Sequence, residues 1–164
     1  MGDGVALRAM KLRVIALGHR MPAWVDAGWD DYARRLPRDY ALELIELKPE
    51  PRGRGKTVTA MLAAEALRIG SAARAASVVA LDERGKPWST RMLADRIAGW
   101  RDEGSDAAFV IGSADGLADS VKQRAVALVS LSALTLPHGL VRVIVAEQIY
   151  RAVSLLGGHP YHRE

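Results

Sequence analysis

Short apolar runs alternate with longer amphipathic segments along most of the chain, and no other feature limits the fold as strongly. The apolar runs predict five β-strands, at residues 12–17, 40–47, 77–81, 107–111 and 125–131. Pro22 opens a helix that Pro37 ends, and further helices are expected at residues 57–73, 89–103, 117–124 and 140–156. Strands separated by helices form parallel βαβ units. The sequence therefore predicts an α/β fold, with a parallel sheet covered by helices.

The amino-acid composition excludes several classes of protein. The 164 residues contain no cysteine, so disulfide scaffolds, thiolate metal sites and cysteine nucleophiles are excluded. No apolar run approaches the roughly 18 residues of a membrane helix, and the first residues lack the apolar stretch of a signal peptide. We therefore expect a cytoplasmic protein with no membrane partner. The formal net charge of +4 permits a polyanionic partner without requiring one.

The patterned sequence starts at Met10. We expect residues 1–9 to form a flexible N-terminal extension, and residues 10–164 to form a single domain, because no linker or repeat divides them. In an open parallel sheet, ligands bind beyond the carboxyl ends of the strands. The loops after Leu81, Ile111 and Leu131 are therefore the expected site, and Trp88 lies where it would flank a ligand.

A nucleotide-binding motif is present only in part. Gly55-Lys56-Thr57 stands between a predicted strand and a predicted helix, as in a phosphate-binding loop. That motif needs another glycine five residues earlier, where this chain has Glu50. A nucleotide hydrolase remains an alternative, and its activity would depend on Lys56. The histidines show no zinc-binding spacing, so no metal site is expected.

The last predicted helix is apolar on most of its sides. Such a helix is either a central core helix, or one that packs on the sheet and on a second copy of the chain. The tail after it, residues 157–164, carries an aromatic ring, two imidazoles and a guanidinium. These groups can stack on bases, transfer protons and pair with phosphate. A functional tail and a frayed terminus are both open on composition alone.

Several segments taken together resemble one family. They are MKL at residues 10–12, MPAW at 21–24, DY at 31–32, RRLP at 34–37, LIEL at 44–47, GKPW at 85–88, LSALTLPH at 131–138, LVRV at 140–143, EQIYRA at 147–152 and HPYHRE at 159–164. LSALTLPH and HPYHRE are the longest and most specific of these. The chain resembles the ribosomal large subunit methyltransferase H family of the SPOUT superfamily, over residues 10–164.

The resemblance implies a SPOUT-type C-terminal trefoil knot, which strand and helix spacing alone would not suggest, because knots are rare in proteins. It implies S-adenosylmethionine as the methyl donor. The acceptor would be N3 of a pseudouridine in 23S ribosomal RNA, within an assembled ribosome. The working unit would be a homodimer, which agrees with one of the two interpretations of the last helix.

The resemblance also implies a cofactor pocket built from three loops. The matching positions are Leu81, Gly112, Leu131, Ser132, Ala133, Leu134, Thr135 and Leu136. The candidate catalytic residues are His138, Arg142, Tyr161, His162 and Arg163. We expect Arg142 or Arg163 to contact an anion or a phosphate, and the tail residues Tyr161 and His162 to stack on a base and handle protons. The tail of one subunit could complete the pocket of the other, or it could only position RNA.

One segment departs from the family pattern. After the fourth strand the family typically has Gly-Gly-x-Glu-Gly, whereas this chain has Gly112-Ser113-Ala114-Asp115-Gly116. Ser113 adds a side chain where the backbone could approach a ligand closely, and Asp115 is shorter than glutamate by one methylene. The departure predicts altered cofactor affinity or loop shape. A non-catalytic RNA-binding or ribosome-binding module is therefore the main alternative to a methyltransferase.

Overall fold

The structure is a computed structural model. It describes residues 8–18, 20–53 and 55–163, with only the backbone of His162 and Arg163. Residues 1–7, His19, Arg54 and Glu164 lie outside the described residues, so most of the expected N-terminal extension lies outside them too. Within that extension, the guanidinium of Arg8 forms an ion pair of 3.0 Å with Asp106.

Five parallel strands form one sheet in the described part of the chain. They are β1 (Met10–Leu17), β2 (Tyr40–Leu47), β3 (Ser77–Pro87), β4 (Ala107–Ile111) and β5 (Ala127–Ser130). Their order across the sheet is β2-β1-β4-β3-β5, and every neighbouring pair is parallel. All residues of β4 are buried, because this strand lies in the middle of the sheet with helices on both of its faces. The predicted α/β fold with a parallel sheet is confirmed.

Helices follow the strands in alternation. They are α1 (Ala23–Ala33), α2 (Val58–Ala73), α3 (Thr90–Asp102), α4 (Asp119–Arg124), α5 (His138–Leu156) and a final 3-10 helix (Pro160–Arg163). Two hydroxyls cap helix N-termini. The Thr57 Oγ1 accepts from the Ala60 N–H at 3.1 Å, and the Ser89 Oγ accepts from the Met92 N–H at the same distance.

The helices divide between the two faces of the sheet. Helices α1, α3 and α5 pack with one face into a core that includes Trp29, Ile97 and Ile149. Helices α2 and α4 pack on the other face, around Ile69 and Val121. Helix α5 contacts both α1 and α3, and none of its residues before Leu156 is exposed. Its apolar character is therefore explained, in this chain alone, by a central position in the core.

Strand β3 differs from the prediction, which ended it at Leu81 and placed a loop at residues 85–87. Both Leu81 and Lys86 pair with Val129 of β5, so residues 82–85 bulge out of the sheet before the strand resumes. A Cβ at Gly85 would lie 2.6 Å from the backbone of Leu128 and of Val129. Glycine thus permits the close approach that returns the chain to β5. Strand β5 is also shorter than the predicted residues 125–131, since it begins at Ala127 and ends at Ser130.

Candidate active site

A cleft of about 1010 Å³ lies at the carboxyl end of the sheet. It is bounded by the residues after Leu81, by the glycine loop after β4 (residues 112–116) and by the loop after β5 (residues 131–137). All the positions that the resemblance assigned to the cofactor line this one cleft: Leu81, Gly112, Leu131, Ser132, Ala133, Leu134, Thr135 and Leu136. The sheet argument and the family resemblance therefore lead to the same surface.

The glycine loop is tightly folded at the wall of the cleft. The N–H of Gly116 donates to the carbonyl of Ser113 at 2.8 Å, and Gly116 has a φ of +83°, which glycine adopts without strain. A Cβ at Gly112 would lie 2.7 Å from the carbonyl oxygen of Gly116. Glycine at position 112 is therefore needed for the loop to close on itself beside the cleft.

The loop after β5 is shaped by its serines. The hydroxyl of Ser130 donates to the carbonyl of Ser132 at 3.0 Å, and the hydroxyl of Ser132 accepts from the N–H of Leu134 at 2.9 Å. Leu134, in the same turn, is 77% exposed. The loop thus has a defined turn that carries an unburied apolar side chain at the rim of the cleft.

An apolar cavity of about 290 Å³ adjoins the cleft. The two share Leu81, Val129, Ser130 and Leu131, and Trp88 lines the cavity. A nucleoside is suited by a site that combines apolar walls, a closely approaching glycine backbone and a few hydroxyl groups. The residues of the cleft therefore fit the adenosine portion of S-adenosylmethionine.

His138 joins the first turn of α5 to the glycine loop. Its Nε2 accepts a hydrogen bond of 3.1 Å from the Nε of Arg142, and its ring also bonds to the backbone of Gly112. Since a guanidinium can only donate, the imidazole must present Nε2 as acceptor, and Nδ1–H remains to donate to Gly112. Both ring nitrogens are therefore engaged within the chain.

The surroundings keep this imidazole neutral. Burial is the largest cause that lowers the pKa of His138 below its usual value, and the charge of Arg142 acts in the same direction. The hydrogen bond to Gly112 and the carboxylate of Glu46 oppose the shift without reversing it. The wall of the cleft at this point is consequently uncharged near neutral pH.

Arg142 lies beneath the cleft and not in its lining. Its side chain has no solvent exposure, and its Nη1 donates to Glu46 Oε2 at 2.8 Å. Its Nη2 is buried with no hydrogen-bond partner, close to Gly18, where a Cβ would lie 3.0 Å from that nitrogen. In this chain Arg142 therefore supports His138, and does not reach into the cleft.

Asp82 and Lys122 form an ion pair in the lining of the cleft, with 3.1 Å between Oδ2 and Nζ. Burial alone would raise the pKa of Asp82. The N–H of Arg84 and the ammonium of Lys122 outweigh burial and lower that pKa below its usual range. The carboxylate is thus ionised and already has a cationic partner.

Tyr161 is fixed against the C-terminal half of α5. Its hydroxyl donates to Glu147 Oε1 at 3.0 Å, and its ring lies 4.6 Å from that of Tyr150 and 4.7 Å from the guanidinium of Arg151. Burial and the hydrogen bond to Glu147 raise the pKa of Tyr161 well above its usual range. The side chains of His162 and Arg163 lie outside the described residues.

The tail and the cleft occupy different ends of α5. Tyr150, which contacts the tail, stands about 18 Å further along the helix axis than His138. The structure therefore brings the cofactor positions together with His138, and keeps Tyr161 apart from them within one chain.

Sequence reasoning missed two carboxylates at this site. Glu46 pairs with Arg142, and Glu65 of α2 is 2% exposed and accepts a hydrogen bond from Ser113 in the glycine loop. The signal for Glu65 is its spacing, because it stands four residues from Met61 and from Ile69 on a buried helical stripe. Glu46 stands within the family-like segment LIEL, but its alternation with apolar residues in β2 gives no sign of its pairing with Arg142.

Metal-binding clusters and membrane-spanning helices are absent from the described residues. Among them, no cluster of three or more histidine and acidic side chains has an arrangement that could hold a metal ion. None of the described helices combines the length and the apolar composition required to cross a membrane.

The architecture and the loop-built cleft are those of a SPOUT-type methyltransferase, and comparison of the sequence agrees. A family model described as "Predicted SPOUT methyltransferase" matches residues 10–162. The chain belongs to this family.

Two relatives of high sequence identity share one name within this family. A relative from Laribacter hongkongensis (strain HLHK9) is 56% identical over 156 residues, which cover 94% of this chain and 100% of the relative. One from Burkholderia mallei (strain SAVP1) is 52% identical over 155 residues, which cover 94% of this chain and 99% of the relative. Both are named Ribosomal RNA large subunit methyltransferase H. The resemblance drawn from the sequence motifs is confirmed.

A solved structure shares the fold at much lower sequence identity. The crystal structure of a probable methyltransferase from Bordetella pertussis Tohama I aligns with a TM-score of 0.58 and 18% identity. The alignment covers 88% of this chain and 95% of the other.

Proposed function

We propose that this protein transfers a methyl group from S-adenosylmethionine to N3 of a pseudouridine in 23S ribosomal RNA, within the large subunit of the ribosome. The observation that carries the proposal is the convergence of the three loops and His138 on one cleft with an apolar side cavity. The name of the relatives supports a ribosomal RNA substrate. The net charge of +4 is compatible with an RNA partner.

The residues that would hold the cofactor are those of the three loops. Leu81 and the residues from Leu131 to Leu136 supply apolar walls and backbone groups, and Gly112 lets the chain approach closely. S-adenosylmethionine, when bound, supplies a methyl group activated by a positively charged sulfur. The ion pair of Asp82 with Lys122 keeps the charge of this part of the cleft near balance.

His138 and Arg142 act as positioning residues in this proposal. Both nitrogens of the imidazole are engaged, so His138 has no free lone pair with which to accept a proton from the substrate. Arg142 is buried and paired with Glu46, so its charge acts on His138 and on the glycine loop. Proton removal from the weakly acidic N3–H is then left to groups beyond these two.

The tail supplies those groups from a second subunit. The tail of a single chain is anchored about 18 Å along α5 from His138, too far to complete its own cleft. In a homodimer, the tail of one subunit would reach the cleft of the other, with Arg163 contacting the anion and His162 handling the proton. Tyr161, whose proton is committed to Glu147, would supply a surface for base stacking.

Exposed apolar side chains near the start of α5 support the homodimer. Trp24 is 57% exposed on α1, beside Val25, which packs against Gly139. Leu134 is exposed in the adjoining loop. A partner subunit that covers these side chains would remove apolar surface from water. The C-terminal trefoil knot, the single domain over residues 10–164 and a cytoplasmic location stay predictions that belong to this proposal.

The decisive experiment is labelled methyl transfer onto ribosomes from cells that lack this protein, with the modified base mapped. The proposal requires label at N3 of one pseudouridine of 23S RNA, only when S-adenosylmethionine is present. The absence of S-adenosylmethionine binding in calorimetry would favour the non-catalytic module instead. ATP or GTP binding that disappears in Lys56→Ala would favour the nucleotide hydrolase.

The role of the tail is tested separately. His162→Ala and Arg163→Ala should each reduce methyl transfer while leaving cofactor affinity unchanged, because both residues stand outside the three loops. Arg38→Ala, in the segment between α1 and β2, is a control for the loss of one surface cation. Transfer at the wild-type rate in both tail variants would rule out the assignment of the tail.

A further inference from the structure

Glu65 is a buried carboxylate that none of the steps above uses. It lies in the middle of α2 and is 2% exposed. Its Oε2 accepts from the hydroxyl of Ser113 at 3.2 Å, and its Oε1 accepts from the N–H of Glu50 at 3.1 Å. One side chain therefore joins the glycine loop of the cleft to the loop between β2 and α2, which comprises residues 48–53 and 55–57 in the described part of the chain.

A buried carboxylate is costly unless hydrogen bonds or a cation compensate for the loss of water. Among the described residues Glu65 forms no ion pair, since Lys56 and Arg68 pair with Glu50 instead. Its two hydrogen bonds are thus the compensation that the structure provides. Loss of either one leaves an acceptor unsatisfied, so both loops are held firmly to this carboxylate.

A second contact ties the same two loops at the surface. Arg52 of the β2–α2 loop forms an ion pair with Asp115 of the glycine loop, and its Nη2 lies 3.5 Å from the hydroxyl of Ser113. The Arg52 and Asp115 side chains are 43% and 33% exposed, so water screens this pair. The buried bond through Glu65 is the stronger restraint on the glycine loop.

We propose that Glu65 is a positioning residue, which sets the shape of the glycine loop through Ser113 and thereby the affinity of the cleft for its nucleoside ligand. This inference rests on the proposed function, because the ligand is the methyl donor or its product. Ser113 lines the cleft, so a change in its position moves a wall of the ligand site. A glycine at position 113 would have no hydroxyl with which to make this bond.

The test is a set of four variants, studied by calorimetry with S-adenosylmethionine and with S-adenosylhomocysteine. Glu65→Met keeps an unbranched side chain of similar length but removes both carboxylate acceptors, and should weaken binding about tenfold. Glu65→Gln can still accept from Glu50 and can donate to Ser113, so it should bind within about twofold of wild type.

Ser113→Ala removes the hydroxyl alone and should weaken binding about threefold to tenfold. The double variant Glu65→Met with Ser113→Ala should bind no more than about twofold more weakly than Glu65→Met.

Leu67→Ala is the matched control on the same helix, because Leu67 is 77% exposed and its side chain is largely in water. It should leave binding unchanged. Melting temperatures measured in parallel show whether each variant folds, and Ser113→Ala keeps the inference testable if Glu65→Met does not fold.

Three outcomes would overturn the inference. Wild-type affinity in both Glu65→Met and Ser113→Ala would overturn it while leaving the proposed function intact. Equal effects of Ser113→Ala in the wild-type and Glu65→Met backgrounds would show that Ser113 acts without Glu65. A wild-type protein that binds neither compound would overturn the proposed function, and this inference with it.

Discussion

His138 and Arg142, one helical turn apart at the start of α5, share a hydrogen bond of 3.1 Å between Nε2 and Nε. Because Nε2 accepts this bond, the proton of the neutral imidazole is on Nδ1. This Nδ1–H is the donor that remains for the hydrogen bond to the backbone of Gly112. A buried arginine thus shapes the wall of a cleft that it does not itself touch. The pair also makes the stability of the fold sensitive to pH.

We expect the free energy of unfolding to decrease as the pH falls below about 6.5. The pKa of His138 is lowered in the folded chain from its ordinary value of 6.5, so the unfolded chain binds the proton more readily. This contribution to stability is fully present above the unfolded pKa and is lost as the pH falls towards the folded one. Urea denaturation at about pH 7.5 and about pH 5 measures the loss.

His138→Asn is the control for that measurement. Asparagine has no titrating group, but it can still donate a hydrogen bond to the backbone of Gly112. The variant should lose less stability than wild type over the same interval. The lowered pKa values of Asp82 and Asp106 act only near and below about pH 4, outside the interval. Equal losses in the two proteins would contradict the role assigned to His138.

Arg142→Met should raise the pKa of His138 towards its ordinary value. The substitution removes the cation that opposes protonation and frees Nε2, although burial still lowers the pKa. It should also destabilise the fold by about 1–3 kcal/mol, since packing is retained but Glu46 and His138 lose a partner. NMR titration of the imidazole gives the pKa, and denaturation gives the stability. A lower pKa in the variant would refute this account.

The order of strands and helices could be predicted because each element carries its own periodic pattern. Residues 40–47 and 107–111 read as strands and form β2 and β4 at those bounds. The end of β3 could not be predicted from the pattern. The chain leaves the sheet after Leu81 and returns at Lys86 only because Gly85 can lie against the backbone of β5. That contact joins distant segments and leaves no periodic signal.

The loops of the cleft were predictable for two independent reasons, the rule for parallel sheets and the motifs around LSALTLPH. The burial and the hydrogen-bond partners of the side chains could not be predicted. The sequence suggested that Arg142 could contact a phosphate, yet its side chain is fully buried and forms an ion pair with Glu46. The spacing of Glu65 on the apolar stripe of α2 could indicate its burial, but not its hydrogen bond to Ser113 of the glycine loop. Both depend on pairs far apart in the sequence, which no single segment reveals.

Tyr161→Phe should lower stability by about 0.5–1.5 kcal/mol and leave the pH profile of methyl transfer unchanged. The variant loses the hydrogen bond to Glu147 but keeps the ring contact with Tyr150. Because the pKa of Tyr161 is raised well above its usual range, the phenol stays neutral and is no candidate for a base. Denaturation and methyl transfer at several pH values provide the measurements. A limb of the pH profile that vanishes in the variant would show that the phenol does titrate.

Gly112→Ala should abolish most cofactor binding while the protein still folds. The new Cβ would lie 2.7 Å from the carbonyl oxygen of Gly116, so the glycine loop must open, at a cost of about 1–3 kcal/mol. Gly99→Ala in α3 is the matched control, since a Cβ there meets no atom within 4 Å and alanine favours a helix. Calorimetry with S-adenosylhomocysteine, together with melting temperatures, compares the two variants. Unchanged affinity in Gly112→Ala would mean that the closed glycine loop is not part of the cofactor site.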